Sequence, residues 1–150
     1  MSLQPLSSVT FFIDHSLGGK LIAQRLRGLG AQVETLADHF PINTPDVDWL
    51  KAVGDKGWIV LSKDGRIRRD SVERTALKAA GVRAFFLTQQ GLTGVEMADI
   101  FATALHGMVN RAHSQAAPFI YTLSRASEFS LVKEHAIRGR ERKQSPEGSV

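Results

Sequence analysis

The sequence has no cysteine among its 150 residues. That excludes a disulfide framework, a thiolate metal centre and a cysteine nucleophile, and it agrees with a reducing, cytoplasmic setting. Aromatic residues make up only 7%, too few for a stacked platform under single-stranded bases. No apolar run approaches the ~18 residues of a membrane helix, so no membrane partner is expected. Met1 to Ser8 lacks the basic and apolar regions of a signal peptide and reads as a flexible lead. No internal repeat of roughly 20–50 residues is visible, which excludes a solenoid. Gly18-Gly19-Lys20 lacks the remaining glycines and the hydroxyl residue of a phosphate loop.

What is present suits one globular domain. Residues are 43% hydrophobic and 23% charged, and a chain of this length buries roughly 68–70% of its unfolded surface. Nineteen basic residues against fifteen acidic ones give a net charge of +4. Between Lys63 and Arg83 there are seven basic residues and three acidic ones, a concentration compatible with a polyanionic partner. From Lys133 to Val150 the chain turns polar and basic, which predicts a disordered tail.

The apolar pattern alternates between strand-like and helix-like stretches. Val9–Ile13, Gln32–Leu36, Trp58–Leu61 and Val82–Leu87 read as strands. Between them, Leu17–Leu29 carries a helical stripe closed by Gly30, and Thr44-Pro45 reads as an N-cap followed by proline at the first helical position. A further helix from Asp70 or Ser71 ends before Gly81, and Thr93 with Glu96 forms a capping box before a long helix to about His113. Phe119–Leu123 and Glu128–Val132 then suggest a hairpin. The expected fold is three-layer α/β/α, residues 9–132, with a mostly parallel central sheet and a C-terminal β-hairpin. Such sheets carry their sites at the strand C-termini.

Acidic residues gather there. Asp14 closes the first strand, Asp46 and Asp48 open a helix, and Asp64 follows the third strand by two residues. The helix from Asp46 rises ~15 Å and the next strand returns ~20 Å, so the helix start and Asp64 fall at one end of the sheet. Each aspartate alone reads as a helix start, a turn or a strand end. Together they form a candidate site for magnesium or manganese, which take hard oxygen ligands and keep several waters. Asp48 stands two residues from Asp46 and so points to a different side of the helix. Of the two, Asp46 is the stronger candidate.

Phe11-Phe-Ile-Asp14-His-Ser-Leu17, Thr44-Pro-Asp46-Val-Asp48-Trp-Leu50 and Gly57-Trp-Ile-Val-Leu-Ser62-Lys-Asp64 together resemble the PIN-like family, and most of all its VapC-type toxin ribonucleases. The resemblance spans roughly residues 9 to 123. It rests on an aspartate closing the first strand, a Pro-Asp-x-Asp helix start and Ser-x-Asp after the next strand. It implies a magnesium- or manganese-dependent endoribonuclease with Asp14, Asp46 and Asp64 as catalytic and metal-binding residues, Asp48 as a further candidate ligand, RNA as substrate and an antitoxin protein as partner. A homodimer is a further expectation. Many relatives carry one more acid just after the third-strand aspartate; here that place is Arg66, so one metal is expected rather than two.

Lys63, Arg66, Arg68 and Arg69 follow or flank Asp64 and are candidate phosphate contacts. The histidines show no ligand spacing, and Trp49 and Trp58 read as packing residues. Two other readings stand beside the nuclease: a non-catalytic nucleic-acid-binding or regulatory PIN-like domain, suggested by Arg66, and a receiver-like or nucleotide-binding α/β domain. The receiver reading expects an acidic pair at the first strand, where only Asp14 stands.

Overall fold

The computed structural model describes residues 4–132, with Arg66 described by its backbone alone. The expected basic tail lies outside the described residues. Five parallel strands, β1 (Thr10–Ile13), β2 (Gln32–Thr35), β3 (Ile59–Ser62), β4 (Arg83–Leu87) and β5 (Phe119–Leu123), are joined by antiparallel β6 (Phe129–Leu131) in the order β2-β1-β3-β4-β5-β6. The hairpin therefore forms, with Tyr121 opposite Leu131.

Strand alternation sorts the core into two layers. Phe11, Ile13, Ile59, Leu61, Phe85 and Leu87 face α1 (Leu21–Gly28) and α6 (Gly94–Ser114). Phe12, Val60, Ala84 and Phe86 face the other side, where α2 (Leu36–His39), α3 (Asp46–Lys56), α4 (Gly65–Arg69) and α5 (Ser71–Ala79) lie. Gly54 permits the close approach of α3 to α5, because a Cβ there would overlap the Ala80 carbonyl. Among the described residues, no helix is long and apolar enough to cross a membrane.

Local differences from the sequence reading have identifiable causes. The stripe assigned to one helix from Leu17 splits: Leu17 ends a 3-10 turn, His15–Leu17, and Gly18 at φ 85° breaks the chain before α1. Thr44 does not cap α3; Pro45 occupies the cap position, while the Thr44 hydroxyl donates to the Pro41 carbonyl at 2.7 Å. Leu36, expected as the end of the second strand, and residues 37–39, expected as loop, form α2; Gly65, expected as the end of a loop, and residues 66–69, to which the sequence assigned no element, form α4. Thr93 does cap α6, accepting from the Glu96 amide at 3.1 Å while Glu96 accepts from the Thr93 amide at 2.9 Å. Ahead of β1, Leu6–Ser8 form a 3-10 turn whose Ser8 hydroxyl meets His113 of α6 at 2.7 Å.

Candidate active site

The chain runs from β1 outward to β2 and then back across to β3. β1 and β3 are parallel, but the connections that leave them lead to opposite sides, to β2 and to β4, and this opens a crevice at their C-terminal ends, the usual ligand position in an open α/β sheet. Asp14 follows β1 and Asp64 follows β3, so both stand at this crevice. Asp46 reaches it from the first turn of α3. The three carboxylates line one cleft of about 400 Å³, together with Ser16, Asn43 and Thr44 among others. Asp48 is exposed and is not among the residues lining this cleft.

Asp14 is only 4% exposed and its carboxylate is held from two sides. The Ser16 amide and hydroxyl donate to Oδ1 at 3.0 and 2.5 Å, and the Ser62 hydroxyl donates to Oδ2 at 2.6 Å. Both serines also tie Asp14 to the β3 exit: Ser16 Oγ accepts from the Lys63 amide at 2.9 Å, and Ser62 Oγ accepts from the Asp64 amide at 2.9 Å. One buried hydroxyl thus links the two aspartates. Burial pushes the Asp14 carboxyl up from its ordinary 3.8 to about 6; the serine hydrogen bonds oppose the rise and the nearby charge of Asp64 adds to it. Asp46 is half-buried and accepts from the Trp49 indole at 2.9 Å, so Trp49 both fills the core and fixes this carboxylate.

On the far side of Asp64 lies a second hollow of about 480 Å³ lined by Lys63, Asp64, Arg68, Arg69 and Gln90 among others. The short helix α4 carries the arginines. Gly65 leaves room for the Arg69 guanidinium, which a Cβ would strike. Burial, reinforced by the Arg69 charge, lowers the pKa of Arg68. Arg74 of α5, almost fully buried, donates to the Arg69 carbonyl at 3.1 Å and fixes the end of α4. The basic residues read from the sequence and described here therefore adjoin the acidic cleft, sharing Ser16 and Asp64 with it.

The donor set fits a hard divalent cation. The buried carboxylate of Asp14 feels the charge of the half-buried Asp64, an arrangement that a cation relieves. Among the described residues, however, no three histidine, aspartate or glutamate side chains close into a ready-made metal cage. An ion here would be held by few carboxylates, with water completing its shell. Asp14, Asp46 and Asp64 share a cleft rather than a closed set of ligands.

Sequence reasoning missed Ser16, whose Asp-x-Ser spacing is an Asx-turn signal. It placed Ser62 beside Asp64 without seeing that its hydroxyl donates to Asp14. It also gave no sign of Asn43, because lining a cleft from a loop leaves no periodicity.

Residues 9–89 match the family described as PIN like domain. A Mycobacterium tuberculosis protein named "Putative ribonuclease VapC45" is 31% identical over 116 residues, covering 75% of this chain and 83% of that protein. No solved structure matches.

Proposed function

For this chain, which belongs to the PIN-like family and is of VapC type, we propose an endoribonuclease dependent on magnesium or manganese. The observation that carries the proposal is the meeting of Asp14, Asp46 and Asp64, from three separate segments, in one cleft beside a basic helix. The name of the mycobacterial relative supports RNA as the substrate.

Asp14 and Asp64 would hold the ion, with Asp46 completing the acidic lining. When bound, it would supply an activated water and charge neutralisation at the leaving oxygen. The protein's own contribution is positional. Ser16 and Ser62 fix both oxygens of Asp14, and Ser62 sets the backbone that presents Asp64. Lys63, Arg66, Arg68 and Arg69 bind the phosphates flanking the cut, where arginine's planar fork suits phosphate oxygens. The acidic centre alone would repel RNA, and this basic flank offsets that repulsion. An antitoxin protein is the expected partner, as the VapC type implies, and the compartment is the cytoplasm.

The experiment is RNA cleavage by purified protein with magnesium, manganese or EDTA. Cutting only with a divalent ion, lost in the Asp14→Asn, Asp64→Asn double variant, is expected. Undiminished cutting by that variant overturns the mechanism, and binding without any cutting favours the non-catalytic reading raised by Arg66. Thermal melts give a readout independent of catalysis. Manganese raises the melting temperature of the native chain, because a ligand of the folded state adds RT ln(1 + [L]/Kd), and raises that of Asp64→Asn much less.

A further inference from the structure

The cleft continues past Asp14. A third hollow of about 290 Å³ shares Asp14 and His15 with the acidic cleft, while the basic hollow shares Ser16 and Asp64 with it. Three spaces therefore run in series along the C-terminal edge of the sheet, with the carboxylates in the middle.

The two outer spaces differ in chemistry. The one beside α4 presents Lys63, Arg68 and Arg69. The one beside α1 presents Gly18, Gly19, Lys20, Gln24 and Asp38. Its other cation, Arg27, is engaged by the Val33 carbonyl, to which Nη2 and Nε donate at 2.6 and 3.2 Å. Gln24 and Asp38 have no side-chain hydrogen bond or ion pair among the described residues. An amide that both donates and accepts, lining the same hollow as a carboxylate that only accepts, matches the edge of a nucleobase. The same carboxylate disfavours a run of phosphates. Gly19 is also informative: its φ is not positive, and a Cβ there would meet no atom within 4 Å. Nothing in the packing requires a glycine, and its absence of side chain keeps the hollow open.

We infer that the hollow between Gly18 and Asp38 receives the nucleobase next to the scissile phosphate, and that Gln24 and Asp38 read its hydrogen-bonding edge. The inference rests on the ribonuclease reading above. It divides the work along the groove: α4 binds the backbone without regard to sequence, and the α1 side selects the base.

The test has an arm that needs no cleavage. The full chain in EDTA is titrated with the four ribonucleoside 3′-monophosphates and with ribose 5-phosphate, followed by amide NMR. Expected are shifts at Gly18, Gly19, Lys20 and the Gln24 side chain that saturate at least about fivefold earlier for one base, the size of one good base contact. Gln24→Ala, Asp38→Asn and the bulk-adding Gly19→Val each remove that preference. Equal responses to all four bases and to ribose 5-phosphate, or shifts confined to residues 63–69, overturn the inference. In the second arm a random RNA pool is cut with manganese and the ends are sequenced. A base bias at one position beside the cut, reduced at least about fivefold in the same variants, supports the inference. Cutting with an unchanged bias overturns it while leaving the ribonuclease intact. Base-selective shifts without cutting support the hollow and count against the nuclease.

Discussion

At the N-terminal rim of the sheet, Arg83 donates to the carbonyl of Ala112 at 2.7 Å and to that of Gly57 at 3.0 Å, closing the last turn of α6 and the residue after α3 with one guanidinium. At the C-terminal rim, Asp14 lies buried beside a second carboxylate and its pKa is pushed to about 6. The same sheet thus ends in a charge matched to helix carbonyls on one side and in like charges drawn together on the other. A rim built for stability pairs its polar groups with structure. Perturbed carboxylates drawn together in a cleft are the pattern of a site of chemistry, the reading proposed above.

The largest expected effect breaks the comparison at Asp14. Its folded-state pKa of about 6 lies above the unfolded value of 3.8. A carboxyl of this kind favours folding while protonated, so its contribution is complete below pH 4 and is lost as pH rises through 6. At about 1.4 kcal/mol for each tenfold change in proton affinity, the ionised form costs about 3 kcal/mol near neutrality. In EDTA, Asp14→Asn should equal the native chain near pH 4 and exceed it by about 3 kcal/mol at pH 7.5. Urea unfolding at the two pH values measures it. A variant less stable at both would make Asp14 an ordinary structural residue, like those of the opposite rim.

Ser62→Ala comes next. Outer partners that orient metal ligands are worth about 10–100-fold in activity or metal affinity. Ser62 also lowers the Asp14 pKa, so its loss should move the midpoint of the cleavage pH profile upward, and Ser62→Thr should restore it. A lowered rate with an unmoved midpoint would show that the hydroxyl serves packing alone.

At the other rim, Arg83→Ala should cost about 1.5 kcal/mol, the lower end for a charged hydrogen bond, with no change in cleavage. A loss of activity beyond the fraction unfolded would mean that the two rims are coupled.

The sequence carried the meeting of the three aspartates better than their surroundings. Asp14, Asp46 and Asp64 were legible because strand ends and helix starts are set by local signals: the apolar runs before Asp14 and Asp64, and the proline before Asp46. The strand order was not legible, since alternation of elements does not say which strand starts the switch. The helix carrying Arg68 and Arg69 escaped because five residues are too few for periodicity; Ile67 alone marks its buried side. The first helix was started four residues too early because Leu17 and Leu21 stand at helical spacing, although Leu17 is buried from a separate turn and Leu21 is 43% exposed.

The smallest expected effect concerns two threonines that read alike in sequence. Thr44 and Thr93 both precede helices that start at the C-terminal rim of the sheet. Thr93 accepts from the Glu96 amide and belongs to a reciprocal capping box, so Thr93→Ala should cost about 1 kcal/mol, or roughly 2–4 °C in melting temperature. Thr44 turns its hydroxyl away from the helix to the Pro41 carbonyl, and no side chain caps α3. Its single exposed-side hydrogen bond predicts a loss within about 0.5 kcal/mol for Thr44→Ala. Parallel melts of the two variants decide the matter. Equal losses near 1 kcal/mol would restore Thr44 as the cap of α3 and turn its hydroxyl toward the helix amides. A near-silent Thr44→Ala would leave the first amides of α3, beside Asp46, without a side-chain acceptor at the mouth of the acidic cleft.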